Sequence, residues 1–403
     1  MPAFLCIASY FKGAKFFKAC KEAGNKVYLV TSTKWKDKPW PQEYIDEMFF
    51  MELDEEGSWN MKHLIEGVAY FMRDQKIDRI VALDDFDVEK AATLRELFRI
   101  GGMGQSIANY FRDKLAMRIR ALEANAAVPD FSDMFNDEHI RRFTETVPAP
   151  WFIKPRSEAS TMGIYQCENE KQVHAFLKSH SNSRHKYLIE AFIEGEVYHV
   201  DSFSSAGKIV FSQSSQYLSP PYEVTHSSGI FRSISVQYGS NDDTTLQKLN
   251  SSVLHAFGIK DGPSHTEFIK CRKTDRFYFL ETASRLAGAF IPEMVEAASG
   301  VDLWKEWAVC ETALCKGESY KIPKRKQEYA GIVTSLSKYP SPDYDDFKAK
   351  KGEIFHTIEF IHHVGLIVKS SDKSRVEALI EEFTALIQER YHADGCLPEK
   401  RVY

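Results

Sequence analysis

Two carboxylates and one guanidinium in the stretch HTEFIKCRKTDRFYFLETASRLAG, His265 to Gly288, have the types and spacing to do chemistry. Glu267 and Glu281 each interrupt an apolar run with strand character, and Arg285 follows one helical turn after Glu281. A turn over Arg272–Arg276 would pair Cys271 with Phe277, Ile269 with Phe279 and Glu267 with Glu281. Period-two alternation then sets both acids side by side on one face. Opposed like charges repel, so either the register is off by one, or the face is solvated, or a cation sits between them. Hard oxygen ligands without a neighbouring His or Cys favour magnesium. Magnesium takes one or two carboxylates and completes its shell with water and phosphate oxygens, so the pair implies a nucleotide.

A nucleotide needs cations for its phosphates. Lys154 ends the apolar run WFIK, where an unpaired ammonium would be costly, and a small, polar segment follows from Ser157 to Gly163. Such a segment suits a loop that closes over phosphates. Lys114, in FRDKLAMR, reads on its own as an ordinary helix lysine. In YLIEAFIEGEVYHVD, Glu190 closes an apolar strand before a short connector, and Glu194 and Glu196 follow. The connector could offer backbone groups to an adenine edge and a later acid could hold ribose, or the segment is an exposed hairpin with acidic rims. Glu223 and His226, three apart in the loop PPYEVTHSSG, are either a solvated pair or a third metal ligand and a substrate-facing imidazole. Tyr222, Phe231 and Phe290 could line an apolar pocket or serve as core.

These residues need elements to hold them. AFLCIAS, KVYLVTS and RIVALDD read as buried strands, the last ending in Asp84 and Asp85. Between and after them, FKGAKFFKACKEAG and DVEKAATLRELF read as helices, which predicts a parallel α/β sheet at the N-terminus. GGMG at Gly101–Gly104 does not follow a strand in the way a phosphate loop must, and reads as a connector. RDKLAMRIRALEANA and TTLQKLNSSVLHAFG are amphipathic helices. HKYLIEAFIEGEVYHVDSFSSAGKIVFSQSSQYL predicts antiparallel strands that turn at Ala206–Gly207. A further helix is expected from about Gly288, and the tail reads as strand, turn and long helix.

At 403 residues the chain can hold two or three domains, and 43% hydrophobic with 27% charged residues is the composition of a globular protein. A formal charge of -5 supplies no basic field for nucleic acid. The seven cysteines are scattered with no CxxC pair, which predicts neither a zinc ribbon nor a disulfide framework and fits a reducing cytoplasm. The first residues, MPAFLCIASYFKGAKFF, lack a signal-peptide pattern, and no run approaches the roughly 18 apolar residues of a membrane span.

Taken in order, the lysine after RD, the lysine before a small-residue loop, IEAFIEGE, HTEF and FLETASRLAG resemble the ATP-grasp superfamily, and within it the L-amino acid ligases, carboxylate–amine ligases that make dipeptides. The match rests chiefly on E-x-x-x-R-x-x-G at Glu281, Arg285 and Gly288, and on E-x-x-H at Glu223 and His226. It covers most of the chain, with its specific motifs between Lys114 and Leu303. The resemblance implies an α/β and α+β architecture. Its parts would be a Rossmann-like parallel-sheet domain (1–112), a lid (113–186) and a large subdomain (187–310) that clamp the nucleotide, and a small C-terminal α+β subdomain (311–403).

It also implies roles. Lys114 and Lys154 would hold phosphates under the loop Ser160–Gly163, and Glu190 with the backbone at Ala191 and Ile193 would take adenine. Glu196 would bind ribose, and Glu267 and Glu281, with Glu223 as a third, would bind Mg2+, or Mn2+ in its place. Arg285 and the Gly288 amide would meet the substrate carboxylate and acyl phosphate, and His226 would position substrate. Arg285, Lys154 and His226 are thus the expected catalytic side chains. Many ATP-grasp enzymes place asparagine where this chain has Ala283, and the dipeptide-forming branch favours a small residue there. The partners implied are ATP and small carboxylate and amine substrates, with room for a homodimer. The alternatives are an ATP-grasp carboxylase of the biotin carboxylase or purine-precursor type, and a catalytically silent nucleotide-binding module.

Overall fold

The computed structural model describes residues 1–393 except Glu56 and Ser160, and leaves the side chains of Glu223 and Ser227 undescribed. The expectation at Ser160 therefore lies outside the described residues, as does any ligand role for the Glu223 carboxylate.

Three sheets carry the chain. The first is parallel, in the order β3-β2-β1-β4, from β1 (Ala3–Ala8), β2 (Lys26–Ser32), β3 (Glu47–Met51) and β4 (Arg79–Ala82). Its central strand is buried along its whole length, as a parallel strand covered on both faces must be. The second sheet is small and antiparallel, β5-β8-β6-β7, from β5 (Phe131–Asp133), β6 (Trp151–Pro155), β7 (Tyr165–Cys167) and β8 (Tyr187–Ala191).

The third sheet has eight strands in the order β13-β12-β9-β10-β11-β14-β16-β15. They are β9 (Gly195–Ser205), β10 (Lys208–Tyr217), β11 (Phe231–Ser235), β12 (Gly262–Cys271), β13 (Phe277–Ala283), β14 (Tyr329–Leu336), β15 (Ile354–Thr357) and β16 (His363–Ser370). The predicted turn at Ala206–Gly207 joins β9 to β10, with both residues at positive φ (51° and 75°). That is the backbone twist a two-residue hairpin loop needs. The C-terminal strands β14, β16 and β15 extend the large sheet, and β8 lies inside the small one, between β5 and β6.

The parallel domain and the large sheet share a core. Helix Ala14–Glu22 packs on helix Leu303–Lys316, with Phe16 and Trp307 edge to face at 5.3 Å. Helices Lys114–Glu123 and Asn241–Phe257 cover the other side, over Phe268, Phe277 and Phe279. The small sheet keeps a core of its own, around Trp151, Ile153, Phe176 and Ile189.

Three expectations change. PPYEVTHSSG is a short helix, Pro221–Ser227, opened by a proline whose missing N–H costs nothing at a helix start. The helix expected from Gly288 begins at Ile291, after Ala289 and Phe290 take left-handed φ of 51° and 59°.

The third change is in the β12–β13 hairpin. Phe277 pairs with Lys270, Tyr278 with Ile269 and Phe279 with Phe268, one residue out of the expected register. A bulge then inserts Leu280, and Glu281 still falls opposite Glu267. Phe279 and Glu281, two apart in sequence, therefore lie on opposite faces, the ring in the core and the acid partly exposed.

Candidate active site

Glu267 and Glu281 stand directly opposite on β12 and β13, with side chains 17% and 34% exposed. Each has its own counter-group. The Lys114 ammonium lies 2.8 Å from Glu281 Oε2. Burial alone would raise the Glu281 pKa, and Lys114, with Lys154 and Arg118 behind it, more than reverses this and holds the acid well below the usual carboxylate range. On the other side, the Tyr217 hydroxyl donates to Glu267 Oε1 at 3.0 Å, and His265 Nε2 lies 3.4 Å from the same oxygen. Burial would lower the His265 pKa, but Asp201 and Glu267 lift it to about 9.

The RDK triplet shows why Lys114 is no ordinary helix lysine. Arg112 donates to the carbonyl of Ser157. Asp113 caps the helix Lys114–Glu123 by accepting from the Leu115 amide at 2.9 Å, and also accepts from Arg156 Nε at 2.9 Å. Lys114 reaches Glu281 and the carbonyl of Glu158, at 2.7 Å from the latter. Three consecutive residues thus tie the small-residue loop to the acid pair. Gly163, at φ +68°, ends that loop under Pro155.

Lys154 projects from β6 and pairs with Glu190 on β8, and Arg118 meets the same carboxylate at 2.8 Å. Glu190 is 1% exposed, and although burial opposes it, Arg118 and Lys154 bring its pKa down to about 2. The Arg118 guanidinium also takes the carbonyl of the bulged Leu280, which joins the Glu190 cluster to the acid pair. Glu190 is thus the counter-charge between two cations. The neighbouring Ala191 amide donates to the Asp130 carbonyl at 2.8 Å, and Ile193 packs against the large core.

Arg285 leaves the end of β13 and donates through Nε to Asp85 at 2.7 Å. Asp85 sits just past β4, at the carboxyl edge of the parallel sheet, where open α/β sheets place their ligands. Asp84 beside it pairs with Lys12. Gly288 faces open space, since a Cβ there would meet nothing within 4 Å.

The structure gathers Lys114, Lys154, Glu190, Glu267, Glu281 and Arg285 into one connected charge cluster: Lys114 on Glu281, Glu281 opposite Glu267, Lys154 on Glu190, Arg118 between the two groups, and Arg285 within reach of the Glu281 charge. Glu196 is not drawn into the group. It is exposed, accepts from Gln216 at 2.9 Å and Tyr198 at 3.1 Å, and belongs to the face of β9 opposite His199. His226 is exposed on its short helix, its ring 4.1 Å from Tyr222, which in turn packs on Phe152 at 5.1 Å. Phe290 packs beside His356 and Phe360 rather than in this cluster.

Asp85, Arg118, Tyr217, His265 and Asp201 were not assigned roles from the sequence. The signals for some were visible: Asp84–Asp85 ends a predicted parallel strand, and H-x-D and H-x-E repeat with strand period at His199–Asp201 and His265–Glu267. Arg118 has no such signal.

Residues 147–293 match the ATP-grasp domain family, a span that runs from β6 through the acid pair to Arg285 and Gly288. The chain carries an ATP-grasp domain over these residues. The whole fold agrees with this. An L-amino acid ligase from Bacillus licheniformis superposes with a TM-score of 0.73 over 97% of this chain and 98% of its own, at 15% identity. The biotin carboxylase domain dimer of Hydrogenobacter thermophilus 2-oxoglutarate carboxylase, in complex with magnesium ADP, ADP and bicarbonate, gives 0.70 over 97% and 90%, at 16% identity. In sequence, the L-arginine-specific L-amino acid ligase of Bacillus subtilis is 24% identical over 304 residues, 72% of this chain and 70% of that protein.

Proposed function

We propose that this ATP-grasp protein is an ATP-dependent carboxylate–amine ligase that acts on an amino acid and an amine to form an amide or dipeptide. The observation that carries the reading is the opposed pair Glu267–Glu281 with Lys114 on one side and Arg285 at the end of the same strand. The likeness to L-amino acid ligases in both sequence and fold points to the amine as acceptor.

A carboxylate does not react with an amine at neutral pH until it carries a leaving group. A substrate carboxylate oxygen attacks the γ-phosphorus of ATP, the bond to the β-phosphate oxygen breaks, and ADP leaves. The amine nitrogen then attacks the acyl carbon, loses a proton, and the carbon–oxygen bond to phosphate breaks. Both steps depend on positioning and neutralised charge.

The residues suit these tasks. Glu267 and Glu281 offer hard, partly exposed oxygens from two rigid strands, a donor set that fits Mg2+, with Mn2+ as a substitute. When bound there, the ion neutralises the phosphate oxygens. Lys114 and Lys154, held by Glu281 and Glu190, place two ammonium groups at the clamp where they can meet phosphates. Arg285 has the planar fork for a carboxylate or acyl phosphate, with the Gly288 amide beside it. The small-residue loop that ends at Gly163 closes over the site and keeps water from the acyl phosphate. Ala191 and Ile193 frame the adenine side. His226 positions substrate from the helix Pro221–Ser227.

We place the domains near 1–112, 113–191, 192–310 and 311–403, moving the expected lid boundary from 186 to take in β8, which pairs with β5 and β6. The six described cysteines are free, in keeping with a reducing cytoplasm. A homodimer fits the reading. Among the described residues no helix is long and apolar enough to cross a membrane. The test is an ADP-release assay over pairs of amino acids, with mass spectrometry of the products. Amino-acid-dependent release with a condensed product is expected. Release driven by bicarbonate and indifferent to amino acids would replace this reading with a carboxylase.

A further inference from the structure

One face of the large sheet carries a buried polar stripe that continues from Glu267. Register places His199 opposite Glu267, Asp201 opposite His265, and Ser233 opposite Tyr217, so all six side chains share that face across β12, β9, β10 and β11. His265 Nδ1 is 2.9 Å from Asp201 Oδ1, and His199 Nδ1 is 2.7 Å from Asp201 Oδ2. His199 Nε2 is 2.7 Å from Ser233 Oγ, which donates on to the Gln216 carbonyl at 3.1 Å. Tyr217 bridges the near end, 3.3 Å from His265 Nε2 and 3.0 Å from Glu267 Oε1.

His199, Asp201 and His265 are also close enough together to hold a metal ion. The hydrogen bonds argue otherwise. Both oxygens of Asp201 already face ring nitrogens at hydrogen-bond distance, so the buried charge is satisfied without an ion.

We propose that His265 and Tyr217, fixed from behind by Asp201, are positioning residues for Glu267. This inference rests on the reading of Glu267 as a metal ligand. Glu281 lies directly opposite and repels it, and Lys114 restrains Glu281 alone. Glu267 would swing out of line unless its Oε1 were tied down. The stripe ties it, leaves Oε2 to meet the ion, and is held rigid because every member but the last is buried. Asp201 acts at one remove, by keeping Nδ1 of His265 on itself and so turning Nε2 toward Tyr217 and Glu267.

The experiment titrates Mn2+ into the protein with saturating ADP and reads free Mn2+ by electron paramagnetic resonance, with ADP affinity in the absence of metal measured by calorimetry. Native protein is expected to bind Mn2+, and Glu267→Gln to lose it. Tyr217→Phe removes one hydroxyl and keeps the ring; it is expected to weaken Mn2+ about 10-fold, the lower end for losing an outer partner of a metal ligand. Metal-free ADP affinity should not change. Asp201→Asn, where it folds, should move Mn2+ affinity the same way. If Tyr217→Phe binds Mn2+ as the native protein does and loses only thermal stability, the stripe is core structure and the proposal is overturned. If native protein takes up no Mn2+ with ADP, the assignment of Glu267 as a ligand falls, and this inference with it.

Discussion

Glu267 and Glu281 face each other across two hydrogen-bonded strands, and each is met from outside by a different partner, Tyr217 on one and Lys114 on the other. The repulsion between the two acids is thus balanced within the chain, by the Lys114 ammonium on one flank and the Tyr217 hydroxyl with the His265 ring on the other. The pair is kept in register by the extra residue Leu280, whose carbonyl is taken by Arg118.

Glu281→Gln keeps the shape of the side chain and removes its charge. Lys114 then loses its ion pair, but at a position open enough for water to reach. ATP turnover in the presence of substrates should fall by about 10²–10³-fold, the range for loss of one fixed electrostatic contact. Circular dichroism should show an unchanged fold. Wild-type turnover by this variant would overturn the proposed role of Glu281 as a metal ligand.

Arg285 and Asp85 form a buried pair between the large sheet and the parallel domain. Arg285→Ala strands a buried carboxylate and should cost about 3–5 kcal/mol of stability. The double variant Arg285→Ala with Asp85→Ala removes both charges and should regain most of that loss in denaturant titration. Phosphate release should not return with it. Recovery of turnover in the double variant would make Arg285 an interdomain strut and nothing more.

Glu190 makes stability depend on acid. Its pKa in the folded protein, about 2, lies below its ordinary 4.5, so the group stabilises the fold fully above pH 4.5. That contribution is lost as pH falls from there through 2. The shift corresponds to something on the order of 3 kcal/mol. Glu190→Gln should be less stable at neutral pH and show a flatter decline between pH 4.5 and 2, measured by urea unfolding at a series of pH values. An acid profile parallel to the native one would show that Lys154 and Arg118 do not depend on this carboxylate.

Gly163 holds φ +68° and has Pro155 Cγ 2.9 Å from where a Cβ would stand. Gly163→Ala forces the left-handed conformation on an L side chain, at about 1–2 kcal/mol, and pushes on Pro155 at the end of the Lys154 strand. Because the residue is exposed at the loop end, the melting temperature should move little while the KM for ATP rises. An unchanged KM would mean that the loop backbone does not shape the nucleotide site.

How much of this could be read from the sequence depends on the range of the interaction involved. Local patterns determined the strands and helices, the Ala206–Gly207 turn and the motifs with their order, because alternation, helical spacing and turn residues act over a few positions. They also brought Glu267 opposite Glu281, although through a register one residue out that only the bulge at Leu280 corrects. A bulge leaves no mark in alternation, since it depends on Phe279 reaching the core while Glu281 turns to the opposite face.

Tertiary structure alone decided the partners. Lys114 meets Glu281 across 167 positions and Arg285 meets Asp85 across 200, and no pattern along one segment encodes contacts made when separate sheets pack. The Asp201–His265–Tyr217 stripe is of the same kind. Its members are spaced by strand period in each segment, but the segments become neighbours only through the strand order β12-β9-β10. The chemistry on offer was written in residue types, whereas the charge balance that makes it usable is a property of the folded sheets.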